Sequence, residues 1–160
     1  MQHRRTFTHG MECRPSGRRP ADPIAEARHE LRAAARLPYA TARSREWGRS
    51  YGDCVRAARQ ALRRHVTWSP EEDSPMSPVE RDEPRLCMAM ARQRNEHHAL
   101  AVQLDALCES VASDAEISLW RMVDLGERAM LLERALERHH GRLVDLEFEA
   151  ANRVLGGEAG

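Results

Sequence analysis

The chain contains no lysine; all 25 basic side chains among its 160 residues are arginine, a bias we assign to coding composition before function. Aromatic residues make up 4%, and isoleucine occurs only at Ile24 and Ile117. So few aromatic and β-branched side chains argue against a sheet protein and against broad stacking surfaces. No apolar run approaches the roughly 18 residues that a membrane span requires. No apolar stretch follows Arg4 and Arg5, so neither a secretory signal nor a membrane anchor is expected, and a cytoplasmic location is. The four cysteines (13, 54, 87, 108) form no Cys-x-x-Cys pair. That spacing excludes a cysteine-built zinc site and fits reduced thiols.

What is present favours helix. Alanine, leucine, arginine and glutamate dominate. Apolar residues at 41% and charged residues at 31% describe a globular chain that is long enough for one core. The net charge is zero but unevenly spread. Residues 1–66 carry 15 Arg against 6 acids, and residues 67–160 carry 10 Arg against 19 acids, giving +9 and −9. The expected outcome is that basic and acidic helices neutralise one another within a single bundle. The zero total leaves nucleic acid as an unexpected partner.

Residues 1–21 lack periodicity and read as a disordered Arg-rich leader, with Met11 an alternative start to Met1. Asp22-Pro23 is an N-cap and N1 pair that opens a helix running to about Leu37, before Pro38. A second helix is expected from about Glu46 to Val66. Residues 67–83, with three prolines and the acids Glu71, Glu72 and Asp73, read as a long loop. Asp82 and Pro84 open a third helix. Ser113-x-x-Glu116 reads as a capping box for a fourth, which reaches Leu155 through two weak points, Gly126 and Gly141. The domain is expected over 22–157, with a tail at 158–160. Four helices with one long loop and short hairpins predict an all-α, up-down-up-down four-helix bundle.

Polar residues interrupt the apolar seams. The second helix shows Trp47, Tyr51, Val55, Ala58, Leu62 and His65 at gaps of three and four. The third shows Leu86, Met90, Gln93, His97, Leu100, Leu104, Leu107 and Val111. In the fourth, His139 is the polar member of a stripe from Met122 to Val154. Three helices thus each turn one histidine toward the bundle axis. An unsatisfied buried imidazole costs on the order of 1–3 kcal/mol. Three of them on three helices suggest a shared metal, and imidazole suits Fe, Zn, Cu and Ni.

The segments Leu62-Arg-Arg-His65 with Glu71-Glu72-Asp73, Glu96-His97-His98-Ala-Leu100, and Leu136-Glu-Arg-His139-His140 with Asp145 resemble the hemerythrin-like (HHE cation-binding) family. The resemblance covers about residues 24–155. It implies a four-helix bundle around non-haem iron that binds dioxygen, senses oxygen or redox state, or handles nitric oxide. Carried over, it implies His65, His97 and His139 or His140 as imidazole ligands, and Glu71 or Glu72 and Asp145 as carboxylates. Gln93 stands where a second histidine of the third helix would be. Pro70 interrupts the helix after His65. His97 and His139 are level only for a turn centred near residue 118, whereas the capping box places it nearer 112–117, an offset on the order of 5–10 Å. A di-iron centre, a reduced mononuclear site and a lost site therefore all stay open.

No Gly-rich phosphate loop, Gly-x-Ser-x-Gly elbow or His-Glu-x-x-His motif is present, and no turnover is implied, so an enzyme is not expected. Two functional classes remain. One is a metal-binding protein with dioxygen or nitric oxide as ligand. The other is a metal-free bundle acting as an interaction or regulatory module, through a protein partner or its own copies. A shared centre for His65, His97 and His139 separates the first from the second.

Overall fold

The computed structural model describes residues 22–39, 41–68, 84–111 and 116–156. Among them it places four α-helices and no strand: α1 (Pro23–Ala35), α2 (Ser44–Trp68), α3 (Cys87–Glu109) and α4 (Leu119–Gly156), with short 3-10 turns at Thr41–Arg43 and Pro84–Leu86. The leader, Glu71, Glu72, Asp82, Ser113 and the tail lie outside the described residues.

The helix starts follow from local chemistry. Asp22 Oδ1 accepts a 2.9 Å hydrogen bond from the Ile24 amide, and Pro23 fills a position where no amide hydrogen is needed. α1 ends two residues earlier than expected, because the Arg36 and Leu37 amides close tight turns onto the Ala33 and Ala34 carbonyls. α3 starts after a 3-10 turn that includes Pro84. α4 corrects the expected capping box. Glu116 lies before the helix, and Ser118 Oγ accepts from the Arg121 amide at 3.3 Å. The helix then runs unbroken through both glycines. Gly126 is not a weak point but a close approach, since a Cβ there would stand 2.9 Å from Tyr39 Oη.

The apolar stripes form one core. Ile24, Ala27, Leu31 and Ala34 from α1 meet Tyr51, Val55, Ala58 and Leu62 from α2, Met90, Leu104 and Leu107 from α3, and Met122, Leu125, Leu132 and Leu136 from α4. Each fully buried leucine is worth roughly 1.5–3 kcal/mol. α1 packs on α2 and α4, and α3 packs on α2 and α4. Away from the histidines, Trp47 stacks on Tyr51 at 4.9 Å, and the Tyr51 hydroxyl donates to the Leu125 carbonyl at 2.6 Å.

The charge asymmetry resolves as cross-helix pairing. Arg28 and Arg32 of α1 meet Glu133 of α4, Arg59 and Arg63 of α2 meet Asp105 of α3, and Arg45 meets Glu116. The basic first half and the acidic second half thus face each other, as expected.

The register differs from expectation. Arg85, in the turn before α3, pairs with Glu149 and Glu96 contacts His139, so eleven residues leading into α3 match ten back along α4. By that count Glu109, the last residue of α3, is level with about residue 126, seven residues into α4. The start of α4 therefore runs past the end of α3. There Leu125 meets Tyr51 of α2, and Ile117, just before α4, lies against Gly48. An overhang, not a kink, brings the histidines level.

Candidate metal centre

His65 lies near the end of α2, while His97 and His139 are interior to α3 and α4. Each occupies a core position in a stripe of three- and four-residue spacing, so each helix buries its imidazole for the reason it buries its leucines. Along the chain the rings are flanked, about one turn away, by buried Leu62, Leu100, Leu136 and Leu143.

The three rings meet. One nitrogen from each lies within 4.8 Å of the others. His65 Nε2 and His97 Nε2 are 2.9 Å apart, a hydrogen bond in which one ring donates and the other accepts. Ring centroids are 4.8 Å apart for His65 and His97, 4.5 Å for His97 and His139, and 6.0 Å for His65 and His139. His139 is 0% exposed. Its Nδ1 lies 3.1 Å from Glu96 Oε2, and its Nε2 is buried with no hydrogen-bond partner. Arg142 Nη2 donates to the same Glu96 oxygen at 2.6 Å. Gln93, one turn before His97, is also buried, with its Oε1 unpartnered.

Burial sets the protonation. It lowers His65, aided by the neighbouring His97 and His139 rings, to about 3. Burial and then His139 lower His97 to about 4. Burial also lowers His139, against the pull of Glu96. All three rings are neutral near pH 7, the state in which imidazole ligates metals. Burial works to raise the Glu96 carboxyl, but hydrogen bonds from Arg142 and His139 outweigh it and hold the group below the ordinary glutamate value.

The other expected ligands are not in the group. His140 turns away, its Nδ1 3.7 Å from Asp22 Oδ2, as one residue of helix is a rotation of about 100°. Asp145 is exposed, six residues on from His139. Glu71 and Glu72 lie outside the described residues. Glu96 contacts the cluster without having been expected as a site residue. Its signal in the sequence was a carboxylate beside His97 and an arginine three residues after His139.

The fit to a metal follows from the donor set. Three neutral imidazoles converge, flanked along their helices by leucines, and the buried Nε2 of His139 has no protein partner. No carboxylate among the described residues joins the group of three. Such a set suits one ion with an open coordination position.

The chain matches no family model, no curated protein and no solved structure. Among the described residues, no helix is long and apolar enough to cross a membrane.

Proposed function

We propose that this chain is a hemerythrin-like, up-down-up-down bundle that holds one non-haem metal ion on His65, His97 and His139. We read it as a cytoplasmic protein that binds or senses dioxygen, nitric oxide or redox state, and not as an enzyme. The observation that carries this reading is the buried convergence of three neutral imidazoles with His139 Nε2 unpartnered. The cross-helix pairs Arg64–Glu26, Arg59–Asp105, Arg85–Glu149 and Arg28–Glu137 support the alternating helix directions.

Iron is the metal that the family resemblance implies; when bound, it supplies an open position for a small diatomic ligand. The chain's own residues do the rest. His65 and His97 offer Nε2 donors, and His139 offers its buried Nε2. The leucines that flank each ring along its helix limit the access of water. The mononuclear form is favoured over a di-iron centre because Asp145 and His140 lie apart from the group.

The 2.9 Å contact between His65 and His97 supports a second reading, since it lets two of the three rings satisfy each other without metal. That reading is the metal-free interaction module. Metal analysis of untagged protein from iron-supplemented cells separates the two. About one metal per chain, lost in His97→Ala, is the expected result. Two irons per chain would restore the di-iron centre. No stoichiometric metal, and no uptake of Fe(II) or Zn(II) by the folded protein, would overturn the metal reading in favour of the module.

A further inference from the structure

We propose that Glu96 is a positioning residue: it holds the His139 ring with its proton on Nδ1 and so presents a bare Nε2 to the histidine cluster. The purpose of this arrangement rests on the metal reading above; the arrangement itself does not.

An ionised carboxylate can only accept. Arg142, which always carries its protons, donates to Glu96 Oε2 at 2.6 Å and keeps the carboxylate charged. The contact of His139 Nδ1 with that same oxygen at 3.1 Å must therefore have the imidazole as donor. A neutral ring carries one proton, so a proton on Nδ1 leaves a lone pair on Nε2. That atom is the one found buried without a protein partner. Free rotation is also removed, because a ring pinned at Nδ1 from α3 has one direction left for Nε2.

The three residues form a short chain of contacts between two helices. Glu96 is the neighbour of His97, so the same turn of α3 that places one ligand orients another. Arg142 follows His139 by three residues, on the adjacent turn of α4. A carboxylate behind a ligating imidazole fixes its tautomer and raises its basicity, and losing it costs about 10–100-fold in metal affinity.

The rival role is purely structural, an ion pair that ties α3 to α4. Arg85–Glu149, a 2.7 Å pair that ties the turn just before α3 to α4, supplies the control. The experiment uses the full metal-free chain with 15N-labelled histidine, in which long-range proton–nitrogen spectra report which ring nitrogen carries the proton. Zn(II) titration is then run on each variant. The wild type is expected to show His139 protonated on Nδ1. Glu96→Ala should move that proton to Nε2 and weaken Zn(II) binding by about 10–100-fold. Arg85→Ala should change neither. Glu96→Gln keeps the shape and should give mixed tautomers with a smaller loss, so it decides the matter if Glu96→Ala does not fold. A wild-type His139 protonated on Nε2 would overturn the assignment. So would Glu96 variants whose tautomer and affinity stay within about two-fold of wild type. Failure of the wild type to bind Zn(II) would overturn the metal reading, while the tautomer comparison would still decide the role of Glu96.

Discussion

Glu133 and His139 lie six residues apart on α4, both buried and both polar, yet the molecule treats them in opposite ways. Glu133 faces α1 and is met by two cations, Arg28 Nε at 3.2 Å and Arg32 Nη2 at 2.5 Å. Its charge is answered within the protein. His139 faces α2 and α3, is answered on Nδ1 by Glu96, and has no protein partner on Nε2. A buried polar atom normally has a partner because leaving it without one costs about 1–3 kcal/mol. The difference separates a feature that closes the fold from one that leaves a valence for something else.

Acid should expose this contrast most strongly in metal-free protein. His65 and His97 titrate at about 3 and 4 when folded, against an ordinary histidine value of 6.5 when unfolded. Between those values the unfolded chain binds more protons, so stability is complete above pH 6.5 and falls as pH drops through that range. At pH 5 the loss is roughly 2 kcal/mol for each of the two rings. Urea unfolding at pH 7.5 and 5 measures it. A His65→Leu, His97→Leu double variant should lose most of that slope, and an unchanged slope would mean that other groups carry it.

Replacing each buried polar residue by leucine tests the comparison directly. Glu133→Leu should cost about 1–2 kcal/mol, because Arg32 loses its carboxylate partner and the half-buried Arg28 keeps only Glu137. His139→Leu should leave the metal-free protein as stable as wild type or more so, since it removes an unsatisfied nitrogen and adds apolar volume. It should also abolish any rise in Tm on adding Zn(II). Equal destabilisation by both substitutions would erase the distinction between them.

The smallest effect concerns the two α4 glycines on either side of this pair. Gly141 has nothing within 4 Å of an added Cβ, so Gly141→Ala should stabilise by about 0.5–1 kcal/mol through helix propensity. Gly126→Ala meets Tyr39 Oη at 2.9 Å and should destabilise instead. Thermal melts of the two variants should move in opposite directions.

Much of this was legible in the sequence because helical spacing carries it. The seam Trp47, Tyr51, Val55, Ala58, Leu62, His65 is buried as its gaps of three and four require. Polar members inside such seams marked His65, His97, His139 and Gln93. Register was not legible. The expected offset between His97 and His139 assumed that α3 and α4 turn back directly, and spacing within one helix cannot show that one helix overhangs another. Glu133 and Glu96 were hidden for a related reason. Each sits beside a seam rather than in it, and its burial depends on arginines that arrive from another helix. Resemblance also drew Asp145 and His140 toward the site, although rotation about α4 separates them from His139.

The histidine cluster has a topological consequence. His65 and His97 are 32 residues apart along the chain, and His97 and His139 are 42 apart. A single ion on all three would act as a cross-link between α2, α3 and α4, closing two long loops whose closure entropy the unfolded chain must otherwise supply. α1 contributes no member to the cluster. It is held by its apolar stripe and by arginine contacts to α4. Occupancy would therefore divide the bundle into a stapled three-helix body and one unstapled helix. Amide exchange in α1 would then proceed through an opening that leaves the other three helices closed.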